Sequence, residues 1–136
     1  MRIPALPVAA IAVFCTAFPV LAADDISPLC VAAEKRYVDL FDQPSAAAEG
    51  VTVVTMYKYN FCPPQLQVPL GTTVRWVNVD KRTSHSVKLA DQPESDRAFP
   101  EEQIEFTFLT GGDQDYLCGP HWETQQMIGR VTVLSD

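Results

Sequence analysis

The hydrophobic pattern takes three forms along the chain. From Ile3 to Leu21 apolar residues run almost unbroken, then Ala22-Ala23 gives way to Asp24-Asp25. From Asp24 to Gly50 the apolar positions follow a helical period, with Leu29, Ala33, Tyr37, Leu40 and Phe41 on one face. Ser27 suits the N-cap of that helix, Pro28 its first position, and Gln43-Pro44-Ser45 its end. The stretch from Ser45 to Gly50 reads as a linker. From Val51 the texture is that of strands. Val51 to Tyr59 is rich in β-branched and aromatic residues and is broken by Pro63-Pro64. Gln65 to Val68 and Thr73 to Val79 follow on either side of the turn signal Pro69-Leu70-Gly71. In the latter, Val74, Trp76 and Asn78 face one way and Arg75, Val77 and Val79 the other. His85 to Leu89 is a further strand, and Asp91 to Pro100 a polar loop. Ile104, Phe106 and Phe108 alternate with Gln103, Glu105 and Thr107. Gly111-Gly112 opens a strand that ends at Cys118, and Met127 to Leu134 closes the domain. About seven short strands and no long helix after Gly50 predict an all-β, two-sheet antiparallel sandwich with a short N-terminal helical extension.

The first segment has a different meaning. One basic residue, an apolar run and small residues before a polar start describe a secretory signal peptide over 1–23, cleaved after Ala22 or Ala23. A retained membrane anchor is the rival, but Pro4, Pro7 and Pro19 interrupt the run and no basic stop follows. The expected organisation is therefore a signal peptide (1–23), a helical extension and linker (24–50) and one β-domain (51–136). Cleavage leaves 113 residues with 9 basic and 17 acidic side chains. A net charge of −8 suits a soluble, monomeric exported protein and disfavours nucleic acid as a partner.

Export also changes how the cysteines are read, because disulfides persist in an oxidising compartment such as the periplasm. Cys15 leaves with the signal, so Cys30, Cys62 and Cys118 remain, an odd number. A metal role for Cys118 leaves Cys30 and Cys62 to pair. A Cys30–Cys118 or Cys62–Cys118 bridge is the alternative, and either would abolish that role.

The candidate chemistry lies at the end of the chain. Cys118, His121 and Met127 fall within ten residues, and the chain's only other histidine is His85. A soft thiolate, two imidazoles and a weak thioether form the set that selects copper in a trigonal electron-transfer site. Zinc prefers four closed ligands or three plus water, and a thioether serves it poorly.

The segment "CGPHWETQQMIGRVTV" resembles the C-terminal ligand loop of the cupredoxins, the plastocyanin and pseudoazurin branch in particular. "LQVPLGTTVRWVNVD" followed by "HSV" is similar to the strands that deliver the first histidine in that family, and "FTFLTGGDQDYLCGPH" to the strand entering the copper cysteine. The resemblance covers Val51 to Leu134 and leaves the helical extension unexplained. It implies a Greek-key sandwich holding one type 1 copper ion. His85, Cys118 and His121 would be equatorial ligands and Met127 the long axial one, with no catalytic residue. It further implies a periplasmic carrier of single electrons, partnered by a c-type cytochrome and a periplasmic dehydrogenase or reductase. A copper-binding or chaperone module without a redox partner is the alternative.

Two departures from the family pattern stand out. The gap from His121 to Met127 is one residue longer than the commonest plastocyanin-type loop, which places Gln126 at the usual ligand offset; the retained "MxGxVxV" phase favours Met127. Ser86 stands where many relatives have an asparagine that braces the cysteine loop. Trp76 reads as core, Trp122 as a candidate for the electron-exit surface, and Lys81 and Arg82 as a solvated turn that could guide an acidic partner.

Overall fold

The structure is a computed structural model that describes residues 27–135; the expected signal peptide lies outside them. Helix α1 (Pro28–Phe41) begins where the sequence signals place it. The Ser27 hydroxyl accepts from Leu29 N–H at 3.2 Å, and Pro28 occupies a first-turn position whose missing donor costs nothing. The helix stops at Asp42, whose left-handed backbone (φ 58°) lets its N–H bond to Val38 O. The stretch read as a linker contains a 3-10 turn, Ser45–Ala47. Glu34 ties it back to α1, accepting from Ser45 N–H at 2.9 Å and from the Ser45 hydroxyl at 2.6 Å.

Eight strands follow: β1 (Thr52–Tyr57), β2 (Asn60–Cys62), β3 (Gln65–Pro69), β4 (Thr73–Asn78), β5 (Lys88–Leu89), β6 (Gln103–Thr107), β7 (Gly112–Leu117) and β8 (Ile128–Leu134). They form two four-stranded sheets, in the orders β2-β1-β4-β6 and β3-β8-β7-β5. The β-sandwich expectation holds, but the sheets are mixed rather than antiparallel. β1 pairs with β4 in parallel, and β3 with β8 likewise. The cause is the connection at Pro63-Pro64. The chain leaves the first sheet after β2, runs through the second as β3, and returns as β4 alongside β1 in the same direction.

The expected strand from His85 to Leu89 shrinks to Lys88–Leu89. His85 makes only an isolated bridge to Ala98. Ser95 takes the next ladder position, its hydroxyl accepting from Val87 N–H at 2.9 Å. A four-residue helix, α2 (Trp122–Gln125), which the strand pattern did not predict, fills the loop between β7 and β8.

Two apolar layers hold the structure. Between the sheets lie Val54, Met56, Phe61, Val74, Trp76, Tyr116, Val131 and Val133. Tyr116 faces Gly129 across the β7–β8 ladder, and any side chain at Gly129 would collide with the Tyr116 ring. The second layer lies outside the first sheet, where Ala33 and Tyr37 of α1 cover Val77, Val79 and Cys62. This explains why β4 is apolar on both faces near its end. Full burial of a side chain the size of Tyr37 contributes about 2 kcal/mol. The Cys30–Cys62 disulfide fastens α1 to β2, and Cys118 is the free, buried cysteine.

The disulfide closes a separation of 32 residues, worth about 3.5 kcal/mol in the chain-entropy model. Replacing both Cys30 and Cys62 by serine is expected to lower the urea midpoint by the equivalent of about 3 kcal/mol. A loss under about 1 kcal/mol would mean that α1 is held by packing alone.

Candidate metal centre

Four side chains from two parts of the chain meet at one end of the sandwich, His85 from one and Cys118, His121 and Met127 from the other. Cys118 directly follows β7, and its backbone N–H donates to Met127 O at 3.0 Å just before β8. The chain between them folds tightly. His121 and Trp122 N–H both bond to Cys118 O, at 3.1 and 2.9 Å, and Gln125 N–H bonds to His121 O at 3.1 Å. The extra loop residue is absorbed here. Gln126 ends α2 in the left-handed conformation (φ 52°) and is exposed, whereas Met127 is 1% exposed and joins the buried cluster that contains Cys118.

His85 and Cys118 are fully buried and His121 is half-buried. Cys118 Sγ lies 3.4 Å from His121 Nδ1 and 3.7 Å from His85 Nδ1. The three donor atoms all lie within 4.8 Å of one another, close enough for one ion to touch all three. Three strong donors, one of them soft, with a thioether nearby fit copper, and a thioether serves zinc poorly.

Three supporting residues were not legible as such. Asp80 Oδ2 lies 2.6 Å from His85 Nε2. A carboxylate only accepts, so Nε2 carries the proton and Nδ1 keeps its lone pair toward Cys118. Asn78, buried in β4, fixes the loop that carries Asp80. Its amide donates to Thr83 O at 2.7 Å and to Ala98 O at 2.9 Å, and its Oδ1 accepts from Asp80 N–H at 2.9 Å. Glu94 accepts from the Ser86 hydroxyl at 2.6 Å. That hydroxyl in turn accepts from Gly119 N–H at 3.0 Å, so serine does brace the cysteine loop, with Glu94 orienting it. A side chain at Gly119 would push the Glu94 carboxylate out of its present place. Ser86 N–H points at Cys118 Sγ at 3.5 Å. The only sequence signal for Asp80 was its place five residues before a histidine.

The two imidazoles are biased in opposite directions. Burial disfavours the charge on His85, but hydrogen bonds to Asp80 and Cys118 outweigh it and raise its pKa. In the metal-free protein this contribution to stability is present below the ordinary imidazole value and fades as pH rises through the raised one. His121 is lowered by burial first, then by the His85 and Arg97 charges. Around the site Lys81, Arg82 and Trp122 are exposed, and Trp76 is core, as expected.

No family model matches the chain. Among curated proteins, it is 33% identical over 101 residues to amicyanin of Paracoccus denitrificans, covering 68% of this chain and 74% of that one. It is 35% identical over 95 residues to halocyanin of Natronomonas pharaonis, covering 62% of this chain but only 56% of that one. Among solved structures, a reduced Cu(I) form of an amicyanin variant superposes with a TM-score of 0.57 at 30% identity, covering 66% of this chain and 89% of the other. A second reduced amicyanin variant gives 0.58 at 29% identity, with the same coverage. The donor set, the sandwich and these relatives agree: the chain belongs to the cupredoxins, the blue copper proteins, and its cofactor is copper.

Proposed function

We propose that the protein is a periplasmic carrier of single electrons, with its type 1 copper held by His85, Cys118 and His121 and with Met127 as the long axial ligand. The observation that carries this reading is the convergence of His85 Nδ1, Cys118 Sγ and His121 Nδ1 within 4.8 Å of one another. Copper bound by such a set supplies a one-electron Cu(II)/Cu(I) couple. The chain's residues have three tasks. Asp80 fixes the tautomer and ring plane of His85, and Ser86 fixes the loop that carries Cys118. Met56, Phe61, Met127 and the rest of the apolar cluster exclude water from the thiolate side. His121, half-buried between Pro120 and exposed Trp122, offers the imidazole edge through which electrons pass.

The partners that suit this role are a c-type cytochrome and a periplasmic dehydrogenase or reductase. Full burial of Cys118 argues against a chaperone, which has to release its metal to a recipient.

The copper-loaded protein should show an intense thiolate-to-copper band near about 600 nm, or its green counterpart. Cys118→Ser should abolish it, and a colourless Cu(II) form of the native protein would refute the reading. Met127→Leu should shift the spectrum and the potential while Gln126→Leu leaves both unchanged; the reverse would make Gln126 the axial ligand.

Asp80→Asn should weaken copper binding by about 10–100-fold. It also removes the group that raises His85, so protons compete at His85 only at lower pH. Relative to each variant's own high-pH affinity, the acid edge should therefore move downward, as read by chelator competition between about pH 5 and 8. Unchanged affinity and an unmoved edge would deny Asp80 this role.

A further inference from the structure

The β1–β2 hairpin turns on just two residues, Lys58 and Tyr59, with Tyr57 paired to Asn60. Both have left-handed backbones, φ 45° and 62°. Two-residue turns of this kind ordinarily take Asn-Gly, which adopts such angles at little steric cost. A lysine and a tyrosine there are held in an unfavourable conformation, which persists only where the surroundings impose it. They do so from three sides. Both Asp80 carboxylate oxygens lie 3.2 Å from Lys58 N–H. The Asn60 amide donates to Lys58 O at 2.8 Å. Behind the turn, α1 packs on Tyr57, is joined to Cys62, and donates from Arg36 Nε to Val79 O, the residue before Asp80.

What the turn delivers is the Tyr59 ring. Its centroid lies 4.9 Å from that of His121 at an interplanar angle of 69°, and 6.4 Å from that of His85 at 84°. Among the described residues it pairs with no other aromatic ring. The two histidines are supported differently. Asp80 holds His85, whereas no carboxylate among the described residues bonds His121, the more exposed of the two. An edge-to-face contact supplies the orientation that a hydrogen bond supplies on the other side.

We propose that Tyr59 is a positioning residue of the copper site, whose ring holds the His121 imidazole in the plane that meets Cys118. The inference rests on the copper reading of His121. It also gives the N-terminal extension a task, since α1 and its disulfide clamp the turn that presents Tyr59.

The test uses Tyr59→Gly, Tyr59→Asn and Tyr59→Phe in the full mature protein. Glycine and asparagine relieve the backbone while removing the ring, so a purely structural role predicts equal or higher thermal stability and an unchanged site. Positioning by the ring instead predicts stability maintained together with a copper dissociation constant about tenfold larger, a shifted ratio of the charge-transfer bands and a changed potential. In the metal-free protein the ring resonances of His121 should move and broaden in nuclear magnetic resonance spectra. Tyr59→Phe should keep the native values in every measurement. Native affinity, spectrum and His121 resonances in the glycine and asparagine variants would overturn the inference, as would a phenylalanine variant as impaired as they are. Absence of the charge-transfer band in the native protein would strike the copper reading alone, because the metal-free His121 resonances still report whether Tyr59 holds the ring.

Discussion

A buried imidazole has two nitrogens to satisfy, and only one can face a metal. His85 is fully enclosed, so its second nitrogen needs a protein partner or the ring pays the desolvation of an orphaned donor. Asp80 is that partner, and much of the metal end is arranged around it. Its carboxylate bonds His85 Nε2 and the Lys58 N–H of the β1–β2 turn. Its backbone is held by Asn78, whose amide also ties down Thr83 and Ala98 on either side of the histidine loop. One buried hydrogen-bonded network thus couples β4, the hairpin turn and the first imidazole. Such networks rigidify when every member is satisfied, which suits a site that has to keep one geometry in two charge states.

A second latch closes the cysteine side. Ser86 follows His85 directly, and its hydroxyl receives Gly119 N–H while donating to Glu94. The histidine loop and the cysteine loop therefore cannot separate without breaking this contact. The Cys118 sulfur receives one backbone N–H, from Ser86, and Pro120 has no N–H to offer. The sulfur is thus lightly hydrogen-bonded by the backbone, and Cys118 belongs to the buried apolar cluster, two factors that tune such a site's potential.

Elements that depend on local pattern were legible in the sequence. Ser27-Pro28 placed the start of α1, alternation placed β6, and cysteine and histidine arithmetic singled out Cys118, His121 and His85. Elements that depend on partners far away in sequence were not. Parallel pairing of β1 with β4 follows from a crossover through the other sheet, which no single strand encodes. The strand expected at His85 is cut short because Ser95 takes over its ladder position. Asp80, Asn78 and Glu94 look like ordinary loop or strand residues, and their roles arise only when the 80–86, 91–98 and 118–127 segments converge. The turn at Lys58-Tyr59 carries no glycine or asparagine signal, because tertiary contacts impose its conformation.

The contacts of Asp80 with His85 and of Ser86 with Gly119 place the proposed ligands by protein groups alone. A crystallographic comparison of the metal-free and copper-loaded forms tests this most directly. His85, Cys118 and Met127 should keep their side-chain rotamers, with the Asp80–His85 and Ser86–Gly119 contacts intact in both forms. A metal-free form in which His85 has left Asp80, or Cys118 has swung out of the core, would contradict it.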